Sequence, residues 1–66
     1  MNIMQPPADY AATLLTFCLG NHQTALAETY NAARSFPQTP CSYWLAVADA
    51  IRADMVLAAI VQESAQ

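Results

Sequence analysis

Residues 41–63 read CSYWLAVADAIRADMVLAAIVQE. This stretch decides the fold. It contains neither glycine nor proline, and its apolar residues recur at the three- and four-residue spacing of one helix face. The spacing predicts a single helix from Cys41 to about Glu63, roughly 34 Å long at 1.5 Å per residue. In its first half Trp44, Val47, Ile51 and Met55 share one face, while Ser42, Asp49 and Arg52 lie near the opposite one. In its second half the pattern rotates. Val56 and Ile60 fall almost in line with Asp49, on the side that was polar, and Asp54 and Gln62 fall near the side that was apolar. The run Met55–Val61 is therefore apolar all round, and a helix end of that kind is stabilised by burial on more than one side.

Upstream, proline and glycine divide the chain. Pro6 and Pro7 open a first helix, from about Ala8 to Leu19, in which Tyr10, Leu14, Phe17 and Cys18 share a face. Pro7 suits the first turn because its missing N–H would be unpaired there, and Asp9 complements the helix dipole. Gly20 is placed to stop the helix. A second helix runs from about His22 to Arg34, N-capped by Asn21. Its apolar stripe is Leu26, Tyr30 and Ala33, with Ala25 and Ala32 on a neighbouring stripe that permits close helix approach. Phe36, in the loop Ser35–Pro40, is expected to plug the hairpin, and Thr39–Pro40 starts the third helix. The prediction is an all-α, single-domain three-helix hairpin or bundle over residues 1–66, two short helices followed by one long C-terminal helix. Each short helix is roughly 18 Å long. A hairpin of that length cannot cover a helix nearly twice as long. The alternative is a kink after Asp54 that folds the end of helix three back into one core.

Composition points towards association. Sixty-six residues bury only about 60% of the surface their unfolded chain exposes, so a chain of this size relies on metals, disulfides, oligomerisation or very good helix packing. Hydrophobic residues make up 56% of the chain and charged residues 11%, against about 25% charged in an ordinary domain. There is no lysine, and the only cationic side chains at neutral pH are Arg34 and Arg52. Little surface charge opposes association.

The net charge of −3 argues against a phosphate-binding role, since nucleic-acid affinity rests largely on Lys and Arg contacts. Five acidic residues are too few for a DNA mimic, and the shortage of Lys and Arg argues equally against electrostatic recruitment to anionic lipid. A membrane span needs about 20 mostly apolar residues. Gly20–Gln23 interrupt one candidate stretch, and Asp49, Arg52 and Asp54 interrupt the other. Met1–Pro7 has no basic start of the kind a signal peptide carries. A soluble, cytoplasmic protein is expected. Cys18 and Cys41 are then expected to stay reduced and to pack as small buried hydrophobes.

Catalysis has little to draw on. His22 is the sole histidine, and Cys18, His22 and Cys41 fall one short of the four ligands of a structural zinc site. His22 reads as a helix-start residue, and Asp49–Arg52 as a solvated i,i+3 pair. One glycine cannot build a phosphate-cradling loop. No enzyme, metal or cofactor is expected. The candidate contact residues are Val56, Leu57 and Ile60, as an apolar patch of the kind that marks interaction sites, and Trp44. Trp44 has two readings, as core anchor or as a partner-binding hot spot, a role in which tryptophan is enriched.

From Gly20 to Ala48 the spacing resembles a tetratricopeptide repeat, a helix–turn–helix of about 34 residues with patterned small and aromatic positions and a closing proline. Gly20 stands in the inter-helix turn, followed by Ala25, Leu26, Ala32, Pro37 and then Trp44. The segment Ser35–Val47 is similar to the proline-loop-tryptophan helix of small bacterial chaperones of type III secretion needle subunits. These resemblances imply a protein- or peptide-binding hairpin. The function read from the sequence is a non-catalytic protein-binding module, a small chaperone or adaptor, that covers the apolar face of helix three with a protein partner or a second copy. The alternative is a phage-encoded inhibitor of a host complex such as a CRISPR or other defence nuclease, without direct nucleic-acid contact.

Overall fold

A computed structural model describes residues 5–64 of the chain. Among the described residues there are three helices: α1 (Pro7–Phe17), α2 (His22–Ser35) and α3 (Cys41–Ser64). The all-α prediction of two short helices and one long one is the architecture observed. α3 is uninterrupted across its 24 residues, about 36 Å, so it does not double back after Asp54. No helix among the described residues is long and apolar enough to cross a membrane.

α1 and α3 run parallel, with α2 antiparallel to both. Near their N-termini, Tyr10 meets Trp44 edge-on with ring centroids 5.5 Å apart. Towards their other ends, Leu15 and Leu57 line one groove. α2 descends the far side of α3: His22 meets Asp54 at its start, Tyr30 meets Arg52 further on, and Ala33 lies by Trp44 near its end.

The core contains few large side chains. Ala11, Ala25, Trp44, Val47, Ala48 and Ile51 are its buried apolar residues, with Thr29 among them. Thr29 satisfies its hydroxyl by donating to Ala25 O at 2.9 Å. α3 supplies the bulk and the short helices supply alanine and threonine, so large meets small and the backbones come close. This pairing corrects three expectations. Phe17 and Tyr30 are exposed, because the face that packs on α3 is Ala11 in α1 and Ala25 and Thr29 in α2. Phe36 is also exposed and plugs nothing. Nor are both thiols buried: Cys18 is half-buried, but Cys41, at the first position of α3, is exposed.

Local chemistry fixes the ends. Asn21 Oδ1 accepts from the Thr24 N–H at 3.0 Å, the expected N-cap of α2. α3 begins one residue past the Thr39–Pro40 start signal, at Cys41. α1 stops two residues short of Leu19 in a Schellman motif. Gly20 N–H donates to Leu15 O at 2.8 Å and Leu19 N–H to Thr16 O at 3.2 Å, the pair of bonds that satisfies the last free carbonyls. The left-handed stop position is therefore Leu19, with φ 56°, and Gly20 follows it with φ 80°.

A left-handed leucine costs roughly 1–2 kcal/mol. The Leu19 side chain, 94% exposed, offers no packing in return. Leu19→Gly is therefore expected to stabilise the chain by about 1 kcal/mol, raising the melting temperature by roughly 5 °C in a domain of this size. A thermal melt followed by circular dichroism checks this, and a lower melting temperature would mean that Leu19 makes contacts within the fold.

Candidate functional surface

Two side-chain links set the level at which α3 leaves the bundle. His22 Nε2 lies 2.8 Å from Asp54 Oδ2, joining the start of α2 to α3. Two residues earlier in α3, Arg52 Nη2 donates to Tyr30 Oη at 2.7 Å, while its Nη1 reaches Asp49 Oδ1 at 3.5 Å. The Asp49–Arg52 pair is the exposed i,i+3 pair the spacing predicts. The turn between α1 and α2 thus sits beside Asp54. Among the described positions of α3, Ile51 is the last buried residue, and every one from Arg52 to Glu63 is exposed.

Ten residues, 55–64, continue past that level, about 15 Å of helix. Val56, Leu57, Ile60 and Val61 expose between 52% and 64% of their surface, and Met55 is also exposed. The sequence from Met55 to Gln62 carries no charge. Three of the four candidate contact residues, Val56, Leu57 and Ile60, therefore stand together on the projecting end. The fourth does not join them. Trp44 is 7% exposed and lies in the core, in an edge-to-face cluster with Tyr10 and Tyr43, the Tyr43 and Trp44 rings 5.0 Å apart. It anchors the opposite end of the bundle. Tyr43 adds a link by donating its hydroxyl to Gln5 O at 2.8 Å, and burial together with neighbouring Tyr10 pushes its pKa above the ordinary tyrosine value.

Hollows lined by described residues flank α3. One, of about 200 Å³, lies between α2 and the start of α3 and is lined by Tyr30, Ala33, Cys41, Trp44 and Leu45. Another, of about 270 Å³, follows the seam of α1 and α3. It is lined by Ala11, Ala12, Leu15, Ala53, Asp54 and Leu57, among others. This second groove opens directly onto the projecting end through Leu57. Helical spacing alone gives no sign of it, because it requires α1 and α3 to be neighbours in a parallel register. The His22–Asp54 link, spanning 32 positions, has no local sequence signature either.

Magnitudes show what this surface can do. Covering the exposed part of Val56, Leu57, Ile60 and Val61 is worth roughly 1–1.5 kcal/mol each. Association costs at least about 4 kcal/mol in lost translational and rotational freedom. The four side chains alone support only weak binding, so a stable contact must also use the groove beside them. Among the described residues, no three His, Cys, Asp or Glu side chains gather where they could hold a metal. The available chemistry of the projecting end is apolar burial. Comparison with family models, curated proteins and solved structures finds no match for this chain.

Proposed function

We propose that this chain is a non-catalytic protein-binding module, a small chaperone or adaptor, whose contact surface is the projecting end of α3. The observation that carries this reading is the uncharged, solvent-exposed helical segment Met55–Val61 beyond the last buried residue, Ile51. An apolar helix end standing free in water is unfavourable, and contiguous apolar surface of this kind marks contact sites. The bundle below it acts as a rigid base. Asn21 caps α2, and the His22–Asp54 and Arg52–Tyr30 links fasten α2 to α3 just before the end projects.

A photo-crosslinking residue placed at Leu57, an exposed position outside the core, tests the reading in cells that express the chain. Covalent protein adducts are expected from position 57, and none from an exposed control position such as Gln23. Absence of any protein adduct at 57 while the chain remains folded would overturn it.

A further inference from the structure

Resting on that reading, we infer that the partner presents a basic amphipathic helix, which lies in the α1–α3 groove and continues along the projecting end of α3. The shape of the groove calls for large side chains from outside. In the core, the bulk of Trp44, Val47 and Ile51 fills the space beside the small residues of the short helices. In the groove both walls are built mainly of alanine, Ala12 on α1 and Ala50 and Ala53 on α3 among them, with one leucine on each, Leu15 and Leu57. About 270 Å³ is left open between them, room for large aliphatic side chains that neither wall supplies.

The backbone of the occupant must be helical. Both walls are helices, and along most of their length the N–H and C=O groups are paired within each helix. The groove therefore has no strand edge to extend. A chain buried against such walls must satisfy its own backbone, which a helix does alone. Length agrees. From Leu57 the same face of α3 continues through Ile60 and Val61, at steps of three and four residues, and both are more than half exposed. Ala50 to Val61 spans about 16 Å, three turns of an occupying helix.

Charge sets the sign of its polar face. Among the described residues lining the groove, Asp54 is the one polar side chain. Its Oδ2 faces His22 Nε2 at 2.8 Å, while Oδ1 has no hydrogen-bond partner among the described residues. The side chain is 55% exposed, so a cation from outside can reach it. Asp9 follows Ala8, which lines the groove, in the first turn of α1, and is exposed. Neither arginine offsets these carboxylates. Arg52 is engaged by Tyr30 and Asp49, and Arg34 by Asn31 within α2. A lysine or arginine of the occupant is therefore favoured beside Asp54, and a carboxylate there is repelled.

The test uses the full chain and three synthetic peptides of about 18 residues, five helical turns. They share one stripe of leucines and differ only in the polar face, which is lysine, glutamine or glutamate. Fluorescence anisotropy at neutral pH should rank affinity in that order, with the first and last at least about tenfold apart. Added salt should shrink the gap. Ala12→Phe, which fills the groove from an exposed position of α1, should weaken the lysine peptide at least about tenfold with the helical spectrum unchanged. Asp54→Asn keeps a hydrogen-bond partner for His22 and should weaken it about threefold. Glu28→Gln removes the same charge from an exposed position of α2 and should leave affinity within about 1.5-fold.

Affinity independent of the polar face, binding that survives Ala12→Phe, or equal losses from Asp54→Asn and Glu28→Gln would each overturn the basic helix in the groove. So would a chain that binds none of the peptides. Any of these results alongside protein adducts from position 57 would overturn this inference alone and leave the binding module standing. The same results with no adducts would overturn both.

Discussion

Trp44→Ala is expected to abolish cooperative folding. Truncating a buried tryptophan costs about 3–5 kcal/mol, and a 66-residue domain at ordinary stability per residue has only about 3–10 kcal/mol in total. The lower part of that range applies here, because among the described residues only four side chains larger than alanine, those of Thr29, Trp44, Val47 and Ile51, are buried. Trp44 also joins both short helices to α3. Its ring meets Tyr10 of α1 at 5.5 Å, and it lines the hollow with Tyr30 and Ala33 of α2. Removing it opens a cavity against both at once. The measurement is a thermal melt by circular dichroism. The expected trace is a shallow, non-cooperative loss of helix in place of a sigmoidal transition. A variant melting within a few degrees of the parent would show that the core is anchored elsewhere.

The paired substitutions Val56→Asp and Ile60→Asp are expected to have the opposite profile. Both sites are more than half exposed, where substitutions ordinarily change stability by about 0.5 kcal/mol or less. Carboxylates near a helix C-terminus add a small unfavourable dipole interaction, about 0.3–1 kcal/mol each. The melting temperature should therefore fall by only a few degrees. Association should fall by more than about 100-fold, since burying unpaired charge costs several kcal/mol. Melting and binding, measured side by side, separate the two roles. If both variants keep their association and lose only melting temperature, residues 56–60 belong to the core and the account of the surface fails.

Helix number and length were legible because the breakers are few and well spaced. Pro6–Pro7, Gly20–Asn21 and the Pro37–Pro40 loop leave no alternative division, and the mismatch between α3 and the hairpin followed from counting residues. The internal faces of α1 and α2 are less legible in the sequence, for a physical reason. Periodicity selects the largest apolar side chains, Phe17 and Tyr30, whereas the bundle buries Ala11, Ala25 and Thr29, because the bulk comes from α3 and the short helices must lie close to it. The sequence points past Leu19 to Gly20, because glycine is the cheaper residue at a left-handed stop and stands one position later. Of the candidate surface, Val56, Leu57 and Ile60 were visible in the rotation of the apolar pattern along α3. Trp44 had both a core and a contact reading on sequence grounds, and its burial is a fact of packing. The groove was not legible, since Leu15 and Ala53 meet only once the parallel register of α1 and α3 is known.

Site-resolved amide hydrogen exchange along α3, in the dilute chain and in the associated state, bears most directly on the claim that α3 outruns its own bundle and is covered by another protein. Amides of 47–51, in the core, should be protected in both states. Those of 56–63 should exchange rapidly in the dilute chain and gain at least about tenfold protection on association. Strong protection of 56–63 in the dilute monomer, or none in the associated state, would contradict the account.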